Sequence, residues 1–248
     1  MSTPRPRLVL VTPRPAPAEA FAETLALALS GGDVAAVIVD LDGLGDEAAQ
    51  RLAEALVPVA QAAGAAAMVA GDTRIAGRAR ADGVHVDVGA LLGPARPAVA
   101  SGEDEDGEDE DDDGPDPAAG ALAQLVARHH PNRAVGAGGL RGRHDAMLAA
   151  EADVDYVMTG RLDLVEGEEP NRKTVDFADW WVPLFEIPCI ALGGRSIAAL
   201  APLVEIGVEF VALRAAVWEH PDGPAAAVRA ANLMLDTPAA EPDAGPDA

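Results

Sequence analysis

The stretch Ile187–Val217, IPCIALGGRSIAALAPLVEIGVEFVALRAAV, decides how the rest of the chain is read. Pro188–Leu192 is a short apolar run with β-branched character, and it stops at Gly193-Gly194. Ser196 then opens a helical pattern, with Ile197, Leu200, Leu203 and Val204 recurring at three- and four-residue spacing. Gly207 closes that helix, and Val208–Leu213 forms a second buried strand. Strand, glycine turn, helix and strand make a βαβ unit, whose two strands pair in parallel within one sheet. Both strand exits offer backbone N–H groups with little side chain in the way, at Gly193-Gly194 and at Leu213–Ala216. Fixed amide dipoles at such places attract a phosphate group, although the same glycines would also serve a plain tight turn.

Working outward, the unit repeats. Short apolar runs at Leu8–Val11, Val34–Val39, Ala65–Val69, Val84–Val86, Ala134–Gly136 and Asp155–Met158 read as six earlier strands. Helical patterns lie between them. Ala18–Leu29 carries Phe21, Leu25 and Leu29 on one face, and a long helix runs from a cap at Asp46 to about Ala63. Further helices are expected at Pro117–His129, His144–Ala152, Val175–Phe185 and Pro224–Leu235. Eight strands alternating with helices predict an α/β fold, a (β/α)8 TIM barrel in a single domain. The other candidate is an open Rossmann-like sheet. Gly136–Gly142 spaces its glycines as GxGxxxG, one residue off the dinucleotide fingerprint and in mid-chain, which argues against it.

The 248 residues match one such barrel, and 49% hydrophobic content supplies its core. Aromatics are only 3%, so small side chains must do the packing. The single cysteine, Cys189, excludes an internal disulfide and reads as a small core residue. With no apolar run of membrane-spanning length and no signal-peptide pattern, a cytoplasmic protein is expected. The net charge of −23 is uneven, because Glu103–Asp116 holds eleven acidic residues and no basic one. Nucleic acid is therefore not an expected partner, nor is a membrane. The expected organisation is a leader over residues 1–7 and the barrel over 8–236. A disordered acidic insertion at about 94–116 and a disordered tail over 237–248 complete it.

In this fold chemistry belongs to the strand exits, where the chain places Arg14, Arg141, Arg161, Lys173, Arg195 and Arg214 among others. Lys173 is the only lysine in the chain. Basic groups converging on glycine turns suit an anionic ligand, although an arginine-rich composition would also scatter arginines over loops. Asp40, Asp42, Asp72 and Asp87 could give carboxylates to Mg²⁺, or cap helices and pair with arginines. Asp72 before Thr73 is a fair helix cap, and His85 reads as a hydrogen-bonded core histidine. No Ser/His/Asp or Cys/His spacing suggests a nucleophile.

Gly71-Asp72 followed by Ala81–Val86, ADGVHV, resembles the "DGVHLG" region of thiamine phosphate synthases. Val135-Gly136-Ala137 and Asp155–Gly160, DYVMTG, resemble their "GxS" and "ADYVxxGP" elements. Pro188–Gly194 looks like "PVVAIGG" and Gly207–Leu213 like "GADGVAV", in consistent order over most of residues 8–235. The family is a TIM barrel that joins hydroxymethylpyrimidine pyrophosphate to a thiazole phosphate with Mg²⁺. A sister branch, the thiazole tautomerases, aromatises the thiazole instead. The resemblance implies that Gly193, Gly194 and the backbone after Leu213 hold the thiazole phosphate, with Arg195 and Arg214 beside them. It also implies that Asp72 serves Mg²⁺; in a synthase reading of this chain, Arg141, Lys173 or Arg214 would serve the leaving group.

Several positions depart from the family pattern. Asp40 and Asp42 stand where cations hold pyrophosphate, Ala137 replaces the serine, and Arg214 stands where a small serine is usual. The threonine-rich loop becomes Glu166–Thr174. The expected function is a synthase with a diverged pyrophosphate site, in thiamine biosynthesis. A non-catalytic phosphate-ligand-binding barrel and a thiazole tautomerase remain the alternatives. The expected partner is a small phosphorylated ligand (thiazole phosphate, pyrimidine pyrophosphate or thiamine phosphate), with a homo-oligomer left open.

Overall fold

The computed structural model describes residues 5–14, 16, 18–91 and 117–236. The expected disorder at 94–116 and 237–248, and most of the 1–7 leader, fall outside these. Eight parallel strands close into a ring in chain order. They are β1 (Arg7–Val11), β2 (Ala36–Asp40), β3 (Ala66–Ala70), β4 (Gly83–Asp87), β5 (Ala134–Gly138), β6 (Tyr156–Thr159), β7 (Cys189–Leu192) and β8 (Phe210–Leu213). The ring is sealed where Arg7 to Leu10 of β1 run alongside Phe210 to Leu213 of β8. This is the (β/α)8 barrel that the alternation of strand and helix predicts.

The helices are α1 (Ala18–Leu29), α2 (Asp46–Ala62), α3 (Thr73–Ala79), α4 (Val88–Leu91), α5 (Pro117–His129), α6 (Arg143–Glu151) and α7 (Arg172–Trp181). After β7 come a 3₁₀ turn (Ile197–Leu200) and α8 (Ala201–Ile206); after β8, α9 (Ala215–Trp218) and α10 (Pro224–Leu235). Strand residues alternate between two cores. Val9, Val11, Ile38, Met68, Met158 and Ile190 fill the barrel interior, while Leu8, Leu10, Val37 and Val39 pack beneath the helices. Trp181, fully buried on α7, donates its indole N–H to the Ile187 carbonyl at 2.9 Å, so a large apolar side chain leaves no polar atom unpaired.

Some boundaries differ from those expected, for local reasons. Gly45 takes the cap position of α2, and Asp46 is the first helical residue, where its charge favours the helix dipole. The helix expected from Ser196 is divided, because Pro202 is held to the first turn of α8 and the residues before it tighten into the 3₁₀ turn. α7 begins three residues earlier than expected, since the Asn171 side chain accepts the Lys173 N–H at 2.9 Å and starts it. β2 extends to Asp40, whose N–H donates to Thr12 Oγ1 at 2.9 Å.

At the opposite, N-terminal end of the barrel, four acids stand just before even-numbered strands. Asp33 pairs with Arg7 at 2.8 Å. Asp82 accepts the Ala67 N–H at 2.7 Å, Asp155 the Val135 N–H at 2.6 Å, and Glu209 the Cys189 N–H at 2.8 Å. Each satisfies a donor where a strand begins, at a place water would otherwise have to serve.

Candidate active site

A cavity of about 640 Å³ opens at the C-terminal ends of β2 to β6. Its floor holds His85 of β4 and Met158 of β6. His85 Nδ1 shares a hydrogen bond with the Tyr156 hydroxyl at 3.0 Å, and the two rings stack with centroids 5.8 Å apart. Glycines on the intervening strand make this possible. A Cβ at Gly138 would sit 2.3 Å from His85 Nε2, and one at Gly136 would sit 1.9 Å from the Tyr156 ring. Burial lowers the His85 pKa to about 4, against the opposing pull of Asp40 and Asp87, so the imidazole is neutral at physiological pH. Burial likewise raises the Tyr156 hydroxyl, which stays protonated. The floor is therefore polar but uncharged, as the core-histidine reading of His85 implies.

The walls carry charge in matched pairs. Arg14 bridges the two carboxylates of the β2 exit, with Nε 2.5 Å from Asp40 Oδ2 and a terminal nitrogen 2.7 Å from Asp42 Oδ2. The Asp40 side chain is almost fully buried, and this guanidinium is its counter-charge. Arg161 donates to Asp163 at 2.8 Å through Nε, which holds that carboxyl below its ordinary range. Arg141 takes Asp145 at 3.1 Å. Asp87 accepts the Ala90 N–H at 2.8 Å through Oδ1.

Asp72 caps α3 by accepting the Arg74 N–H at 2.7 Å, and the same arginine's side chain embraces it. That pairing lowers its pKa to about 2. Asp72 also lines the cavity, so the cap reading and a place at the site hold together.

Of the residues singled out from sequence, Asp72 and Arg141 meet in the cavity wall. Lys173 is exposed at the start of α7 and outside that wall. Arg195 pairs with Glu219 on the far side of the β7 exit. Gly193, Gly194, Leu213 and Arg214 form the β7–β8 rim, and several donors there are engaged by the chain itself. The Gly193 N–H donates to Ala212 O at 2.8 Å. Arg214 Nε lies 2.5 Å from Glu166 Oε1, and the Ala215 N–H donates to Glu166 Oε2 at 3.1 Å. Leu213 is fully buried, and a Cβ at Gly193 would meet its side chain at 2.7 Å.

Sequence reasoning placed Arg161 at an exit without assigning it a role, and it missed Tyr156 and Glu166. The signal for Glu166 was an unexpected arginine at 214 facing an acidic loop that holds Glu166, Glu168 and Glu169.

Comparison with known proteins agrees with this architecture. The family model described as thiamine monophosphate synthase matches residues 8–96 and 118–217. A protein named thiamine-phosphate synthase from Rhodospirillum centenum is 35% identical over 92% of this chain and 97% of its own. One of the same name from Hyphomonas neptunium is 33% identical over 94% and 96%. A solved structure of thiamine phosphate pyrophosphorylase from Pyrococcus furiosus superposes with a TM-score of 0.65, at 20% identity, over 93% of this chain and 96% of that one. With two relatives above 30% identity over nearly their whole length, this chain belongs to the thiamine monophosphate synthase family.

Proposed function

We propose that this chain couples hydroxymethylpyrimidine pyrophosphate to thiazole phosphate, and that the reaction takes place in the β2–β6 cavity. The carrying observation is a cavity of about 640 Å³ lined by three guanidiniums and six aspartates, Asp72 and Asp87 among them, in a chain of this family. The volume suits a small heteroaromatic pair. The bond between the pyrimidine methylene and the pyrophosphate oxygen breaks, and its electron pair leaves with pyrophosphate. The thiazole nitrogen lone pair then forms the new C–N bond, giving a thiazolium without any proton transfer.

The chain's task is to stabilise the leaving charge and orient two rings. In this reading Arg161 turns from Asp163 toward pyrophosphate, while Arg14 and Arg141 face it still paired with Asp40 and Asp145, taking the part that cations at 40 and 42 would otherwise have. The Arg161 pair is solvent-exposed, and exposed pairs are held by about 1 kcal/mol or less, so exchange there costs little. The neutral His85 of the floor, held by Tyr156, orients the pyrimidine without competing for the anion. The phosphate of the thiazole goes to the β7–β8 rim, at Gly193, Gly194 and the backbone after Leu213, with Arg195 and Arg214. Lys173 stays outside this scheme.

The donor set fits Mg²⁺. That ion takes one or two carboxylates and completes its shell with phosphate oxygens and water. Asp72 and Asp87 line the same cavity and would supply such carboxylates, and among the described residues no group of three or more His/Cys/Asp/Glu exists to hold a metal without substrate. When bound, the ion would neutralise charge on the departing pyrophosphate. The same reading places the protein in the cytoplasm, acting on small phosphorylated molecules, with neither nucleic acid nor membrane as partner. Among the described residues no helix is long and apolar enough to cross a membrane.

The test is a coupled assay with both substrates. Pyrophosphate and thiamine phosphate should appear in equal amounts and only with Mg²⁺. Thiamine phosphate binding without turnover at any Mg²⁺ concentration would overturn the enzyme in favour of a binding barrel. Turnover of the thiazole without pyrophosphate would point to the tautomerase.

A further inference from the structure

The β7–β8 rim already holds an anion, and it belongs to the chain. Glu166 reaches over from the β6 loop and places one carboxylate oxygen on Arg214 Nε at 2.5 Å and the other on the Ala215 N–H at 3.1 Å. The remaining guanidinium nitrogens of Arg214 donate to Leu162 O at 2.6 Å and Leu164 O at 2.8 Å. Two further N–H groups of the rim are taken by the same loop, Arg195 by Gly167 O at 2.8 Å and Ser196 by Glu168 O at 3.0 Å. Both charged side chains are buried, Glu166 to 5% exposure and Arg214 to 12%. A carboxylate shared between a guanidinium and a backbone N–H is chemically what a phosphate monoester would make of the same donors.

The loop's polarity shows what holds it there. Val165 is 91% exposed and Leu164 51%, while the acid next to them is buried. Apolar packing would choose the reverse. The segment is therefore seated by the ion pair and its hydrogen bonds, and it is flanked by Gly160 in the left-handed region at φ 103°.

We infer that Glu166 is a built-in competitor for the substrate's phosphate. The loop rests in the phosphate site, and thiazole phosphate binds by displacing the carboxylate from Arg214 and Ala215. This rests on the proposed function, since it takes the rim as the seat of the thiazole phosphate. Binding then carries the cost of opening, and apparent affinity falls by the fraction of molecules that are open.

Calorimetry with the thiazole phosphate, and with the unphosphorylated thiazole alcohol as control, tests it on the full chain. Glu166→Ala should tighten the phosphate ester's Kd at least about tenfold and move the alcohol's less than about twofold. Glu166→Gln keeps the volume, removes the charge and should give an intermediate tightening; it also serves if the alanine variant fails to fold. In the wild type, saturating thiazole phosphate should speed amide exchange over residues 162–169. An unchanged or weaker Kd in a folded variant, or unchanged exchange in a saturated wild type, overturns the inference. Turnover with a KM for thiazole phosphate that ignores Glu166 would sink the competitor and leave the synthase standing. Glu166-dependent binding with no turnover would do the opposite.

Discussion

On the β2–β6 side of the rim, Arg14, Arg74, Arg141 and Arg161 each lie against a nearby aspartate, and an open cavity is lined by Arg14, Arg141 and Arg161. On the β7–β8 side, Arg214 and the backbone donors are capped by Glu166 and its loop. Both halves neutralise their own charge, but at different depth. On the first side Arg74 and Arg161 are 72% and 57% exposed, although Arg14 is set on a buried Asp40; on the second, both members of the Arg214–Glu166 pair are nearly out of water. Exposed pairs are worth about 0–1 kcal/mol and yield to a better partner. Removing one member of a buried pair leaves a charge stranded and costs about 3–5 kcal/mol. Arg74 and Arg161 in the first half can exchange anions by side-chain rotation, while the second half needs a segment of backbone to leave.

The largest effect expected from this contrast is catalytic. Arg141→Ala should lower kcat/KM for coupling about 100-fold or more, the scale of losing one preorganised donor to a developing charge. Lys173→Ala, outside the cavity, should stay within about twofold. Steady-state assay of both checks it, and equal losses would erase the distinction between cavity wall and outer surface.

Next comes stability. Arg214→Ala should cost about 3 kcal/mol in urea unfolding, because Glu166 is left buried alone. Adding Glu166→Ala should restore much of it, whereas Arg74→Ala should change stability by less than about 1 kcal/mol. If Arg214→Ala were equally mild, the Arg214 and Arg74 pairs would not differ in depth of pairing.

The smallest effect concerns the floor of the open half. His85 has a folded pKa of about 4, below its ordinary 6.5, so between these values the unfolded chain binds more protons. Stability is then full above about pH 6.5 and falls as pH drops toward 4, by at most about 3 kcal/mol. Urea midpoints across that window should slope accordingly, and His85→Gln should flatten the slope. A pH-independent wild type would mean the floor carries charge.

The barrel was legible because it is local. Apolar strands, glycine exits and helical periodicity each span fewer than twenty residues, as in Ile187–Val217. His85 could be read as a core histidine from its strand alone, but its partner Tyr156 lies 71 residues away. Asp40 looked like a loose exit residue; only the arrival of Arg14 and Thr12 from β1 makes it a buried strand end. Glu166 and Arg214 are separated by 48 residues, and no periodicity links them. Distances across a rim are set by closure of the ring, which the chain order implies without giving side-chain pairings.

The four acids at the barrel's other end divide the ring into modules. Asp33, Asp82, Asp155 and Glu209 each clasp the strand before their own, joining β1 to β2, β3 to β4, β5 to β6 and β7 to β8. Such a clasp is not repeated across the intervening seams from β2 to β3, β4 to β5 and β6 to β7 by any of these four. In chain order the acidic stretch falls between β4 and β5, two strands that none of these four side chains joins. A quarter-barrel built this way can receive an insertion, or be exchanged with a relative's, at a seam without parting a clasped pair.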